Sequence, residues 1–225
     1  MNKYFKGALL VSLATASLNA ELVITNFDTG EVKKETNYID GTNTDIKVGI
    51  KNGIEKVYYQ MGRMAYQVNY IEDKRDGILE WFDKEGNKLS EIYYKLGKIT
   101  GEEKSFYPNK QVKHTVTYVN DLKEGIQKEY FSTGTLAQEV NYTKGKKNGL
   151  QKEYTDDGNL YTKVNYINNY KEGLQKWYDK HSKVIRETLF KQDRPVEIMK
   201  QVQRTDQYND VLSVTGIDFS PQKPE

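Results

Sequence analysis

The 225 residues carry 34 basic and 32 acidic side chains, a formal charge of +2, and no cysteine. That balance excludes a basic whole-protein footprint for nucleic acid, and the missing thiols exclude disulfide staples, thiolate metal sites and a lipoprotein cysteine anchor. Length bounds little, because the chain repeats, and a repeat array grows as a line rather than as a sphere.

At the N-terminus Lys3 and Lys6 precede an apolar run from Gly7 to Ala16 and then small or polar residues up to Ala20. This is the layout of a secretory signal peptide over residues 1–20, with cleavage after Ala20 or Ala16. An apolar core of about 10 residues falls short of the roughly 20 needed to span a bilayer. The mature chain is therefore expected to have no transmembrane segment and to be exported: periplasmic, on the cell surface or secreted. Removing residues 1–20 takes two lysines and leaves 32 basic against 32 acidic residues.

Residues 21–196 read as a repeat array of about seven units. Glu21 to Gly41 is a degenerate first unit, in which GEVKKETNYIDG from Gly30 aligns with GTLAQEVNYTKG from Gly134. Thr42 to Asn52 inserts about eight residues beyond the period, expected as a loop or a short edge strand. Six units follow, led at 24-residue intervals by Gly53, Gly77, Gly101, Gly125, Gly149 and Gly173 without slippage. Self-similarity at such a period marks stacked supersecondary units.

Counting each leading glycine as position 0, position 5 is Tyr58, Phe82, Phe106, Tyr130, Tyr154 and Tyr178, and position 17 is Tyr70, Tyr94, Tyr118, Tyr142, Tyr166 and Phe190. Position 15 is Val or Ile in five units, position 11 is mostly apolar, and position 1 is Ile or Leu except at Glu102. All of these positions are odd. That is the period of a strand, and no segment places apolar residues at i, i+3, i+4 and i+7 over a helical length. Each unit is thus two strands, with turns at position 9 (Gly62, Gly86, Gly134, Gly158) and position 20 (Asp, Asn or Gly).

The expected fold is all-β: an elongated, twisted single antiparallel sheet of tandem 24-residue hairpins, curled into a trough. Seven hairpins give about 14 strands and, at about 4.8 Å spacing, a sheet roughly 65 Å long. Odd parity places both aromatic columns on one face. It also puts there the position-3 lysines (Lys56, Lys104, Lys128, Lys152, Lys176, with Glu80 breaking the row), their ammonium groups over rings. Pro195 closes the array; residues 197–225 read as a capping segment and a disordered tail, with a short helix over Val196 to Arg204 and a capping strand over Val211 to Phe219.

The pattern G-x-x-x-x-aromatic-x-x-x-G-x-L-x-x-x-V-x-Y-x-x-G resembles the short bacterial variant of the MORN (membrane occupation and recognition nexus) repeat, over about residues 30 to 194. Bacterial proteins built of such repeats are often grouped as antitoxins of a toxin–antitoxin family, and others are exported surface or periplasmic proteins. The resemblance therefore implies, as an alternative to a scaffold, an antitoxin or immunity protein.

The catalytic inventory is thin. His114 and His181 lie in different units without a partner at ligand spacing, and no nucleophile elbow or phosphate-binding loop is present. No catalytic, cofactor or metal residue is assigned, and the chain is not expected to be an enzyme. Binding candidates lie at even positions, where the pattern demands no apolar residue: Tyr59, Trp81, Tyr93, Tyr107, Phe131 and Trp177. Large aromatics on a wet face are enriched at contact surfaces. Lys128 and Lys152 offer the alternative, a basic stripe for an acidic partner. The expected partner is another protein or a cell-envelope component, with no nucleic acid; the pattern does not set the oligomeric state.

Overall fold

The computed structural model describes residues 8–13, 20–39 and 49–196. The helix and strand expected beyond Val196 and most of the Thr42–Asn52 insert lie outside the described residues. The strands are β1 (Ala8–Leu13), β2 (Ala20–Asn26), β3 (Val32–Ile39), β4 (Ile50–Tyr58), β5 (Met64–Ile71), β6 (Lys74–Arg75), β7 (Gly77–Phe82), β8 (Lys88–Lys95) and β9 (Lys98–Phe106). They continue as β10 (Val112–Val119), β11 (Leu122–Lys123), β12 (Gly125–Tyr130), β13 (Leu136–Thr143), β14 (Lys146–Tyr154), β15 (Leu160–Ile167), β16 (Tyr170–Tyr178), β17 (Val184–Lys191) and β18 (Arg194–Val196).

Apart from β6 and β11, each strand pairs antiparallel with the next in sequence, so the described residues form one all-β meander, an 18-stranded sheet. β6 and β7 are two pieces of one strand, since both pair with β5, and β11 and β12 likewise pair with β10. At the N-terminal end β1 lies along β2, from Ala8 opposite Thr25 to Leu13 opposite Ala20. The end of the insert, Ile50 to Asn52, is not an edge strand. It opens β4 inside the sheet, with Lys51 opposite Tyr38.

The turns at positions 19 and 20 have both central residues at positive φ, as at Asn168 (51°) and Asn169 (77°), which is the tight turn whose twist matches the strands it joins. The Asn169 N–H donates to Lys147 O at 2.9 Å, and the Lys147 N–H donates to Asn169 Oδ1 at 2.7 Å. The same exchange joins Asp73 with Lys51 and Asp193 with Lys171, so position 20 welds each hairpin to the preceding one.

Register corrects the face assignment drawn from parity. Within a hairpin Gly125 lies opposite Tyr142 and Gln127 opposite Val140. Paired positions therefore sum to an odd number, and even positions of the first strand share a face with odd positions of the second. The two aromatic columns lie on opposite faces of the sheet. The inner face carries position 15, with Val68, Val116, Val140 and Val164 at 1–3% exposure, and the position-17 rings Tyr70, Tyr94 and Tyr166. It also carries position 2, where Glu55, Leu79, Gln127, Gln151 and Gln175 are all buried. Burial confined to one face is what a sheet curled toward that face produces. Position 1 lies outside: Ile54, Ile78 and Ile126 are about half exposed.

The lysines over the rings are not those at position 3. On the position-17 rings they stand two residues before the leading glycine in five of the six units: Lys51, Lys123, Lys147 and Lys171 hold Nζ 4.6–5.0 Å from the rings of Tyr70, Tyr142, Tyr166 and Phe190, and Arg75 lies 5.3 Å from Tyr94, while Ile99 takes the place before Gly101. Position-3 lysines project from the outer face, where three of the five pair with carboxylates: Lys104 with Glu102 at 2.7 Å, Lys152 with Glu139 at 3.3 Å and Lys176 with Glu187 at 2.7 Å. Glu80, which breaks their row, is matched by Lys88 at the otherwise apolar position 11; the pair holds the Glu80 carboxyl below its ordinary range.

Candidate functional site

The hairpin turns of β2–β3, β4–β5 and β7–β8 enclose a cleft of about 870 Å³. Phe27, Tyr58, Tyr59, Tyr66 and Trp81 wall it, Ala65 is buried at its floor, and Met61, 84% exposed, stands at its lip. Strand register brings the rings together. Tyr66 on β5 lies directly opposite Trp81 on β7, with ring centroids 4.7 Å apart and planes tilted by 46°. The Tyr59 N–H closes its turn on Arg63 O at 2.7 Å, while the Tyr59 hydroxyl donates to Phe82 O in the next hairpin at 2.9 Å. The ring is thereby held across two units.

Beneath Tyr66 lies Glu55, 2% exposed. Its carboxylate accepts from Lys51 at 2.7 Å, Thr36 at 3.1 Å and the Tyr66 hydroxyl at 3.1 Å, with Lys34 at 3.5 Å. Burial pushes the Glu55 carboxyl up, but the hydrogen bond and charge of Lys51, helped by Lys34 and Thr36, hold it below the usual range. Burial and the facing Glu55 charge push the Tyr66 phenol up to about 12. The cleft thus has a neutral aromatic wall fixed from below by an ionised carboxylate. At the rim Lys33 stands 5.6 Å above the Phe27 ring, Lys84 lines the opening, and Glu31 accepts from the Met61 N–H at 3.1 Å.

The sequence-derived candidates separate into several places. Tyr59 and Trp81 share this cleft; Trp81 is 38% exposed. Tyr107 and Phe131 line a second cleft of about 570 Å³ with His114, Lys123, Gln127 and Glu129. There the Tyr107 hydroxyl donates to Tyr130 O at 2.7 Å, and His114 Nε2 is buried without a hydrogen-bond partner among the described residues. Trp177 sits alone on the inner face under Arg186, 4.6 Å from its ring. Tyr93 is on the outer face opposite Ile78, packed where Gly101 leaves room: an added Cβ there would come within 3.4 Å of its ring. Lys128 and Lys152 both lie opposite Glu139 on the outer face.

Phe27, Tyr58, Ala65 and Tyr66 were not among the sequence candidates: Phe27 lies in the degenerate unit, Tyr58 in a column read as packing, and Ala65 and Tyr66 at positions 12 and 13, where no column recurs. One signal was present: aligning Gly30 with Gly62 puts Phe27 in the column of Tyr59, Tyr107 and Phe131. Among the described residues no three His, Asp or Glu side chains form a group that could hold a metal ion, and no helix is long and apolar enough to cross a membrane. What the cleft can do chemically is hold an apolar group between rings with a cation at its mouth.

The profile of the MORN repeat variant matches residues 75–96, 99–120, 123–144, 147–168 and 171–192, so the chain carries five tandem MORN repeat variants. Four of the five windows open on the residue that stacks on a position-17 ring or its equivalent, from Arg75 to Lys171. The β4–β5 hairpin precedes the first window yet has the same geometry, Lys51 over Tyr70. No curated protein matches the chain.

Proposed function

We propose that this array of MORN repeat variants is a non-enzymatic, exported scaffold that binds another protein or a cell-envelope component through its extended sheet. MORN repeats are repeat and binding modules, and the export reading rests on the N-terminal sequence, Lys3 and Lys6 ahead of an apolar run. One observation carries the binding reading: the Trp81 cleft. Position 4 varies along the repeat (Val57, Ser105, Glu129, Glu153, Trp177), and at Trp81 a partly exposed tryptophan stands beside Tyr66 and near an exposed methionine. Tryptophan and tyrosine in a preformed concavity are the side chains that most often dominate contact energies.

The test is capture from the cell-envelope fraction by the full-length chain, compared with Trp81→Ala and with Lys128→Glu/Lys152→Glu. Loss of Trp81 is expected to weaken capture about thirtyfold, as for an anchor contributing about 2 kcal/mol, while the melting transition stays in place. Undiminished capture by Trp81→Ala would remove the cleft from the interface. Recovery of a toxin as the captured protein would replace the scaffold reading with the antitoxin one.

A further inference from the structure

The cleft at Trp81 and the smaller cleft at Phe131 occupy the same place in the repeat. Each lies between the position-6 aromatics of two successive units, Phe27 and Tyr59 in one, Tyr107 and Phe131 in the other. In each the tyrosine before the second aromatic forms a wall (Tyr58; Tyr130), and an alanine at position 12 forms the floor (Ala65; Ala137). Each also has a lysine at position 12 of the earlier unit, and its Nζ hangs over the first ring: Lys33 at 5.6 Å from Phe27, Lys113 at 5.8 Å from Tyr107. Neither ammonium has a carboxylate within ion-pair distance among the described residues, whereas most other lysines near the sheet centre do or sit beside a Gln amide.

The combination does not recur in the remaining units. Position 6 there is Asp83, Thr155 or Asp179, and these side chains close their own turns: Asp83 accepts from the Asn87 N–H at 2.7 Å and Asp179 from those of His181 and Lys183 at 2.9 Å. The two aromatic clefts therefore are not a by-product of the repeat. They stand three units, or six strands, apart, roughly 29 Å along the sheet.

We propose that the clefts are two equivalent binding sites, each taking an apolar or aromatic side chain of a partner polypeptide with a carboxylate beside it. This names the partner chemistry of the binding reading above and rests on that reading in taking a polypeptide as ligand. Ring walls and an alanine floor suit an apolar side chain, and both volumes fall in the range of about 300–1,000 Å³ found for ligand pockets. Lys33 and Lys84 against Glu31 at the first mouth, and Lys113 and Lys123 against Glu129 at the second, leave each with one net positive charge, which suits one carboxylate; a phosphate group is usually gripped by several donors or a bidentate arginine. The hydroxyls of Tyr59 and Tyr107, each bonded to the carbonyl of position 5 in the next unit, hold the walls before any ligand arrives.

The test is calorimetric titration of the full-length chain with the capped peptide acetyl-Gly-Trp-Asp-Gly-amide. Two sites per chain are expected. Ala65→Phe and Ala137→Phe, each filling one floor, should each reduce the number to one, and together to none. Lys33→Glu and Lys113→Glu should each weaken one site about tenfold, as should replacing the peptide's Asp by Lys, in keeping with a close charge pair at a contact rim. Should a phenylalanine variant fail to fold by its melting transition, the two glutamate variants carry the test instead: each should leave one site at the parent's affinity and one about tenfold weaker. One site, no binding, or a stoichiometry indifferent to both floors overturns the proposal, and so does tighter binding to anionic lipid vesicles than to the peptide. In any of those cases the scaffold reading survives if Trp81→Ala still abolishes capture of the envelope partner.

Discussion

Replacing Glu55 by alanine should be the most damaging single truncation of a polar side chain in the array, and replacing it by glutamine should be mild. The carboxylate is buried and accepts from Lys51, Thr36 and Tyr66 within 3.1 Å. Removing it leaves two lysines and a phenol without their acceptor. Breaking a buried pair costs about 3–5 kcal/mol, and the lower end applies because the Lys51 and Lys34 side chains retain 26% and 34% exposure. Glutamine is the residue at the same position in three other units, where Lys123, Lys147 and Lys171 donate to the side-chain oxygens of Gln127, Gln151 and Gln175 at 2.7–3.0 Å. Glu55→Gln therefore exchanges an ion pair for a hydrogen bond from the Lys51 ammonium to an amide oxygen, at about 1 kcal/mol. The pH dependence follows from the direction of the shift. A carboxyl whose pKa is lowered by folding contributes stability above its unfolded value, about 4.3, and loses it as pH falls through the folded value. Denaturant melts of parent and Glu55→Gln should thus differ at pH 7 and draw together progressively as the pH falls below the unfolded value. A difference that does not change with pH, or a glutamine variant as unstable as the alanine one, would refute this account of the cluster.

Val140→Ala should cost about 2 kcal/mol, for two buried methyl equivalents and a partial cavity, whereas Ile126→Thr on the outer face should stay within about 0.5 kcal/mol; equal losses in denaturant melts would return the two residues to one face. Gly149→Ala should cost more than about 1 kcal/mol, since φ is +108° and the new Cβ would lie 3.1 Å from that of Asn141, whose amide donates to Leu150 O at 2.7 Å; a neutral result by thermal melting would show that the bulge relaxes. Ultraviolet titration of Glu55→Gln should show one tyrosine, Tyr66, ionising at lower pH than in the parent, because the charge facing its hydroxyl is gone.

Element positions were legible because the repeat supplied each strand and turn six times over, and a glycine or an Asx residue marks almost every reversal. Faces were not. Parity along one strand is local information, but parity between strands depends on register, and register depends on turn length. The turn around position 9 and the irregularity beside position 5 make paired positions sum to odd numbers within a hairpin, which transfers position 1 from core to solvent and separates the two aromatic columns. The same slip hid the true ring-stacking lysines: Lys123 and Lys147 lie two residues before a glycine, outside the column counted forward from it.

The site was harder to read for a related reason. A cleft such as that at Trp81 belongs to no single unit; its wall is assembled from position 6 of one hairpin, positions 5 and 6 of the next and position 4 of a third. A search along columns finds side chains that recur, and recurrence in a stacked array marks packing. Binding features arise where a variable column meets columns that keep their rule, as when tryptophan stands at position 4, which holds Val57, Ser105 and Glu129 in other units, beside an intact Tyr59–Phe82 tie. The regular columns hold the rim rigid enough that a departure leaves a shaped void instead of a local collapse. Departures are thus read best against register, one neighbouring unit at a time, as at the two clefts between Phe27 and Ala137.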